Sequence, residues 1–225
     1  LDEIATRLEK AGKSNRNKEA AAIVRDAMKK HGRIIFNGNN YSDEWIAEAR
    51  KRELPNIRGG VEALAAMATP DAVRLFEKYK VLSRGELRSR HEIYLEGYIK
   101  HVNIEAQASV QMVKKQYLPA VIKFTEELAG AITRLKAAGS AAKVQKELLG
   151  KVTELLESSS EKLAALETSI VKAHHVEDLE KRAMTFRDKV VPSANALRKD
   201  IDALEEILPS RLWPVPSYAD MLFKL

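Results

Sequence analysis

The sequence predicts an all-α protein in which short helices are followed by a long antiparallel three-helix bundle. Apolar residues recur at intervals of three and four along most of the chain, and the alternation typical of strands is nearly absent. Three long segments, 106–138, 141–175 and 177–208, each span about 50 Å at the helical rise of about 1.5 Å per residue. The turns between them are short, so consecutive segments must run antiparallel.

The amino-terminal part predicts two short helices, at residues 1–12 and 17–31. Gly12 and the polar stretch 15–17 are expected to separate them. The first helix begins at Leu1 with an apolar face already established and no capping residue ahead of it. We therefore expect the chain to be a piece of a longer protein.

The segment "IIFNGNNYSDEW" (34–45) predicts a turn that leads into a helix. Ser42 is a favourable N-cap, and Tyr41 with Ile46 has the spacing of a hydrophobic staple. Asn37-Gly38 predicts positive φ angles in a tight turn. A phosphate-binding loop would need a Gly-rich segment followed by Lys and Ser or Thr, which is missing here. The residues therefore favour architecture over ligand binding.

Further along the chain, Pro55 ends this helix, and a short helix is predicted at 61–67. Thr69 then caps another helix that has Pro70 at its first position, where the missing amide costs nothing.

A much longer helix begins at "VLSRGELRSRHEIYLE", where Ser83 and Glu86 match a capping box and Leu82 with Leu87 matches a staple. No stop follows until the "AAGS" turn. Pro119 is expected to kink this helix, because proline removes one hydrogen bond and clashes with the preceding turn.

The three bundle segments carry apolar residues at the spacing of a coiled-coil seam. In chain order these residues are Val110, Val113, Tyr117, Val121, Phe124, Leu128, Ile132 and Leu135, then Val144, Leu148, Val152, Leu155, Leu163, Leu166 and Ile170, then Leu179, Ala183, Phe186, Val190, Leu197, Ile201, Leu204 and Leu208.

The carboxy-terminal segment "LPSRLWPVPSYADMLFKL" is apolar but interrupted by prolines. Such a tail should dock on its own protein or on a partner subunit, because its apolar side chains are unfavourable in water. The candidate interface residues are Trp213, Tyr218, Leu222 and Phe223.

Composition narrows the possible functions. The chain has 225 residues and a net charge of +6. It contains no cysteine, so disulfides and thiol catalysis are excluded. No apolar run approaches the roughly 18 residues of a membrane span.

The amino-terminal stretch is basic, with nine basic and three acidic residues between Arg7 and Arg33. This is either a patch for nucleic acid or phosphate, or a solvated helix face. No aromatic residue is interleaved to stack a base, which argues against nucleic acid.

The sequence offers few candidates for chemistry. His174-His175 would be the first metal candidate, but adjacent helical positions point about 100° apart, so surface histidines are favoured. His91 and His101 lie too far apart to share an ion. Residues 158–160, all serine, are either a phosphorylation site or an exposed stretch of weak helix formers. We therefore predict no catalytic, cofactor-binding or metal-binding residue in this chain.

Three blocks, in this order, resemble the carboxy-terminal region of type III glutamine synthetases. They are "FNGNNYSDEWIAEARKRELPN", "FEKYKVLSRGELRSRHEIYLEGYIKHVNIEA" and "WPVPSYADMLF". Asn39-Asn40 departs from the family pattern, which more often has an acidic residue and glycine there, but the departure falls within a turn. The resemblance covers nearly the whole chain.

The resemblance implies that this chain is a fragment of a larger α+β enzyme that joins ammonia to glutamate through a γ-glutamyl phosphate. It implies ATP and Mg²⁺ or Mn²⁺ as cofactors of the parent enzyme, a cytoplasmic dodecamer, and catalytic residues that all precede Leu1. Residues 1–105 would be the helical end of the catalytic domain, 106–208 an added bundle and 209–225 a docking tail. The fragment itself would be structural and inactive alone, with the amino-terminal catalytic part as its partner. The alternative is a stand-alone helical scaffold or adaptor that binds an acidic partner.

Overall fold

The computed structural model describes residues 1–216 and 218–222, and within them every regular element is a helix. The chain forms two compact units, Leu1–Arg58 (unit 1) and Gly59–Leu225 (unit 2). No helix in the described residues combines the length and apolar character that crossing a membrane requires. The all-α prediction is confirmed.

Unit 1 contains three α-helices and one 3₁₀ turn. They are α1 (Asp2–Lys10), α2 (Gly12–His31), the 3₁₀ turn (Gly32–Ile34) and α3 (Asp43–Lys51). Gly12, with a φ of +65°, makes the break between α1 and α2. The second predicted break is wrong, because α2 continues through residues 15–17. Asn is a weak helix former but does not stop a helix that can propagate on both sides of it.

The segment before α3 is held together by aromatic packing. Ser42 Oγ accepts the amide hydrogen of Trp45 at 3.4 Å, which confirms the predicted N-cap. The predicted staple is wrong, because Tyr41 is 96% exposed and does not cover Ile46. Phe36 instead packs against Trp45, with ring centroids 4.8 Å apart. The apolar cover of this helix start therefore comes from farther upstream than a staple residue.

Gly38 serves a different purpose from the one predicted. It does not adopt a positive φ, so that expectation is wrong. A Cβ at this position would lie 2.6 Å from Cε1 of Phe36, well inside van der Waals contact. Glycine is needed because the aromatic ring approaches the backbone closely, and not because the turn is left-handed.

Arg52 fixes the same segment from the end of α3. Its Nη1 donates to the carbonyl oxygens of Ile35 at 2.7 Å and Arg33 at 3.1 Å, and its Nε donates to Glu48 at 2.5 Å. The hydrogen bond from Arg52 lowers the pKa of the Glu48 carboxyl. The guanidinium also lies 5.9 Å from the ring centroid of Phe36. One side chain thus closes the loop between the 3₁₀ turn and α3.

Unit 2 contains the bundle and the short helices around it. Its helices are α4 (Gly60–Met67), α5 (Pro70–Lys78), α6 (Arg84–Met112), α7 (Leu118–Ala137), α8 (Lys143–His174), α9 (Leu179–Thr185), α10 (Val191–Glu205) and α11 (Tyr218–Leu222). A π-helical turn, Val113–Tyr117, joins α6 to α7 without a break, and a second, Phe186–Val190, joins α9 to α10. The resulting three long helices pack as the predicted antiparallel bundle.

The start of α6 is the predicted capping box. Glu86 N donates to Ser83 Oγ at 3.3 Å, and Ser83 N donates to Glu86 Oε2 at 2.8 Å. These bonds satisfy two backbone amides that the helix cannot pair internally. They also lower the pKa of the Glu86 carboxyl, chiefly through the Ser83 backbone amide.

Each bundle proline follows a π-helical turn. Pro119 lies two residues after the turn that ends at Tyr117, and Pro192 lies two residues after the turn that ends at Val190. A proline ring clashes with the carbonyl four residues before it, and a π turn widens the helix at that carbonyl. At Pro119, where the sequence predicts a kink, the structure has a wide turn and the helix continues without a break.

The bundle core follows the predicted seam. Val121, Val152, Leu166, Phe186, Val190 and Leu204 are fully buried. Val144 is the exception, since it is 70% exposed and the prediction that it belongs to the seam is wrong. Val144 lies in the first turn of α8, two residues after Ala142, which is buried and has a left-handed backbone conformation with a φ of 48°. The turn buries Ala142 in place of Val144.

Candidate interaction site

The segment after α10 folds back onto the bundle. Leu208 is buried in the core, and Ile207, Leu212 and Trp213 pack against it. Trp213 N donates to the carbonyl oxygen of Pro209 at 3.2 Å, so this part of the tail forms a tight turn. The first half of the tail therefore belongs to unit 2.

Trp213 stacks on Tyr117, the last residue of the π-helical turn between α6 and α7. The ring centroids are 4.8 Å apart and the planes differ by 27°. The indole Nε1 of Trp213 is buried and has no hydrogen-bond partner among the described residues. Burial raises the pKa of the Tyr117 hydroxyl, and the negative charges of Glu205 and Asp202 raise it further. This stack joins the tail to the middle of the long helix.

A second contact holds the tail beside the stack. Arg211 binds both carboxylate oxygens of Glu127, with Nη1 3.1 Å from Oε1. The hydrogen bond from Arg211 lowers the pKa of the Glu127 carboxyl. Both side chains are partly exposed, so the ion pair orients the tail more than it stabilises the fold.

The remaining interface candidates lie past the tight turn. Tyr218 belongs to α11, and Leu222 ends it with 73% of its surface exposed. Phe223 lies outside the described residues. The assignment of these residues to a subunit interface stays a prediction. The candidates thus differ in environment, because Trp213 packs within unit 2 whereas Leu222 at the end of α11 is exposed.

A groove of about 510 Å³ runs between α6 and α10 next to the stack. Tyr117 forms part of its wall, and the carboxylates of Glu105, Asp202 and Glu205 lie around it. Arg198 neutralises part of this charge, because its Nε lies 3.3 Å from Asp202 Oδ2. The lining of the groove is therefore partly apolar and partly acidic.

The histidine side chains lie in separate environments. His174 Nε2 lies 3.0 Å from Asn103 Oδ1, and its ring meets Phe186 edge-on at 5.4 Å, while His175 caps α8. No group of three or more potential metal ligands occurs in the described part of the chain. His91 is buried in α6, whereas His101 is exposed. The two residues thus lie in different environments of the same helix.

The three serines are not one exposed stretch, so that interpretation of the sequence is wrong, and the phosphorylation alternative stays a prediction. Ser158 Oγ donates to Asp200 Oδ2 at 2.6 Å, and Ser159 is fully buried without a partner among the described residues for its hydroxyl. Lys162 Nζ lies 2.7 Å from both oxygens of Asp200. Only Ser160 is exposed. Ser158 therefore contacts α10 and Ser159 is enclosed in the packed bundle, which their sequence alone did not indicate.

The basic residues of unit 1 are partly neutralised within the unit. Arg7 Nε lies 2.7 Å from Glu19, and Arg7 Nη1 lies 3.0 Å from Asp26. Hydrogen bonds to these two carboxylates raise the pKa of the Arg7 guanidinium. Two of the three acidic residues in this stretch thus serve to join α1 to α2.

Comparison with known proteins gives consistent matches. The family model for the glutamine synthetase C-terminal domain matches residues 19–136, just over half of the chain. A glutamine synthetase of Butyrivibrio fibrisolvens is 29% identical over 208 residues, which is 90% of this chain and 29% of that protein. A type-3 glutamine synthetase of Dictyostelium discoideum is 32% identical over 221 residues, which is 93% of this chain and 29% of that protein. The chain thus spans less than a third of these relatives.

Proposed function

The chain belongs to the family of glutamine synthetase C-terminal domains, and from this premise we propose that it is the carboxy-terminal helical region of a type III glutamine synthetase. The type-3 relative, at 32% identity over 93% of the chain, supports this proposal. The three blocks described above support the same type. In this proposal the whole protein ligates ammonia to glutamate with hydrolysis of ATP, and the helical region provides structure.

The proposed structural role rests mainly on the small core of unit 1. Among its 58 residues only Ile23 and Ala49 are buried. Ile34, Ile35 and Tyr41 expose large apolar surfaces. A unit of this size is already marginal with a complete core. We therefore assign unit 1 to the end of the catalytic domain, where the rest of the synthetase covers these side chains.

Unit 2 has the opposite character, because its bundle carries nearly all the buried residues of the chain. In our proposal the bundle shapes the subunit and the tail contributes to contacts between subunits in a homo-oligomer, a dodecamer in the parent enzyme. Met221 and Leu222 at the end of α11 are 56% and 73% exposed, which suits a contact with another subunit.

ATP and Mg²⁺ or Mn²⁺ belong to the remainder of the enzyme in this proposal. The described residues do not fit a metal site, because no three carboxylates or histidines converge on one point. The proposal assigns no catalytic, nucleotide or metal role to the chain itself. A cytoplasmic location is part of the proposal and is supported by the absence of cysteine.

The second candidate is a helical scaffold that binds an acidic partner. The basic residues of α2 favour it, since Lys29, Lys30 and Arg25 are exposed. Binding of a polyanion with steep salt dependence would support this candidate. Our proposal instead expects weak binding that disappears at physiological salt.

Glutamine formation tests the proposal directly. We expect ATP-dependent synthesis by the natural full-length protein and none by the 225-residue chain alone. Deleting residues 212–225 from the full-length protein should change the size of the assembly in analytical ultracentrifugation. Turnover by the isolated chain would overturn the structural role, and an unchanged assembly size would overturn the interface assignment.

A further inference from the structure

A second cavity in unit 2 lies away from the tail. It has a volume of about 570 Å³ and is bounded by α5, the first turns of α6 and the start of α9. Leu87 and Leu95 are buried in α6 and form its base together with Leu179. The volume lies within the range of sites that hold a single small molecule.

His91 gives this cavity a buried polar group. Its side chain lines the cavity and is only 5% exposed. The imidazole makes no hydrogen bond within the described residues, and its nearest charged neighbour is Glu180, whose Oε1 lies 3.9 Å from Nε2. Because His91 lines the cavity and makes no hydrogen bond within the described residues, its ring nitrogens are available to a ligand atom there.

The charges around the cavity fall into two classes. Arg88 and Glu92 neutralise each other, with Arg88 Nε 3.0 Å from Glu92 Oε1, and Asp178 caps α9 by accepting the amide hydrogen of Lys181 at 2.8 Å. Two remain free to bind a ligand. Arg84 makes no hydrogen bond or ion pair with any described residue, and Glu180 has only the long contact to His91.

We propose that this cavity binds a free amino acid with an apolar side chain, through its carboxylate at Arg84, its ammonium at Glu180 and its side chain on the leucine base, with His91 hydrogen-bonded to the polar end. Among the described residues that line the cavity, Arg84 is a cation without an ion pair and Glu180 an anion with only a long contact, and together they match the two charges of a zwitterion. A simple carboxylate would leave Glu180 unpaired, and a simple amine would leave Arg84 unpaired. This binding is separate from glutamine synthesis and does not depend on the proposed function.

Leucine is a suitable probe because its side chain is apolar and branched. Titration of the full 225-residue chain with leucine should shift the His91 ring resonances in NMR spectra and saturate. 4-Methylpentanoate, which lacks the ammonium, and isopentylamine, which lacks the carboxylate, should each bind about tenfold more weakly or worse. Absence of saturable leucine binding, or equal binding of either analogue, would overturn the proposal.

Two surface substitutions test the assigned contacts without disturbing the core. Arg84→Gln and Glu180→Gln should each weaken leucine binding about tenfold, since each removes one charge-assisted contact. Arg90→Gln and Glu177→Gln are matched controls, because both residues are exposed and neither lines the cavity. Leucine affinity that is the same in all four variants would contradict the assignment. Circular dichroism of each variant checks that the helices remain intact.

Discussion

Lys162 on α8 binds Asp200 on α10 through both carboxylate oxygens, with Nζ 2.7 Å from each. Ser158 adds a third hydrogen bond, 2.6 Å long, to the same carboxylate. Asp200 is buried between the two helices, and Lys162 is partly exposed. The pair fixes the register of the two helices, because a shift by one turn would leave a buried carboxylate without its partners.

Lys162→Met should destabilise the chain by about 2 kcal/mol, since Asp200 remains buried without its counter-ion. The double variant Lys162→Met/Asp200→Leu should recover much of this loss, because no unpaired charge remains. Urea denaturation followed by circular dichroism measures both effects. Arg198→Ala is the control, and it should change stability by no more than about 0.5 kcal/mol because its pair with Asp202 is exposed. A double variant as unstable as Lys162→Met would contradict this account.

Ser83→Ala should cost about 1 kcal/mol, because it removes the N-cap of α6. Ser83→Thr retains the hydroxyl and should cost less. Thermal unfolding of the three proteins side by side provides the comparison. Equal losses for Ala and Thr would show that the hydroxyl does not cap the helix.

The capping box also has a pH dependence. The folded-state pKa of Glu86 lies below its ordinary value of 4.5. Its contribution to stability is therefore present above pH 4.5 and is lost as the pH falls through the folded pKa. We expect Glu86→Gln to be less stable than the wild type at neutral pH and the difference to shrink in acid. A difference that stays constant between neutral pH and the acid range would contradict the role of this carboxylate.

Trp213→Ala should destabilise unit 2 by about 2 kcal/mol, because it removes a half-buried aromatic side chain and its stack on Tyr117. Tyr117→Phe keeps the stacked ring and is the matched control. Chemical denaturation gives both values. If Tyr117→Phe were as destabilising as Trp213→Ala, the hydroxyl and not the stack would hold the tail.

Lys80→Gly should stabilise the chain by about 0.5–1 kcal/mol. Lys80 has a φ of 54° after α5, and Val81 N donates to the carbonyl oxygen of Phe76 at 3.0 Å, as in a Schellman motif. Glycine reaches this conformation without the steric cost that lysine carries. Arg74→Gly, inside α5, should have the opposite effect of about 1 kcal/mol. Thermal unfolding decides the sign of each change, and a loss of stability in Lys80→Gly would contradict the assignment of strain.

The bundle could be predicted from the sequence because its signals are local and repeated. The seam residues recur at fixed spacing, and Ser83 with Glu86 forms its capping box within one turn. Pro55 indicates the end of α3, whereas no residue in the sequence marks the stop at Lys80, because this residue takes the left-handed conformation where glycine is usual. Glu53 and Lys80 both have positive φ angles, so these two helix ends carry backbone strain.

The contacts of the candidate site could not be predicted in the same way. Tyr117 and Trp213 lie far apart in the sequence, and nothing local to either residue selects the other as its partner. Nothing in the local sequence marks Asp200 as buried, since its burial results from the packing of α8 against α10. Tyr41 had the correct spacing for a staple, yet spacing does not determine whether a side chain turns toward the helix or toward water.

The paired π turns have a consequence for how the bundle can evolve. Each turn holds one more residue than an α-helical turn, so the seam on its carboxyl side is rotated relative to the seam before it. Both turns border the same groove and therefore lie at the same level of the bundle. Deleting one residue from either turn alone would put that helix out of phase with its neighbour. Insertions and deletions at these two places are thus expected to occur together, as a linked pair, in the history of the family.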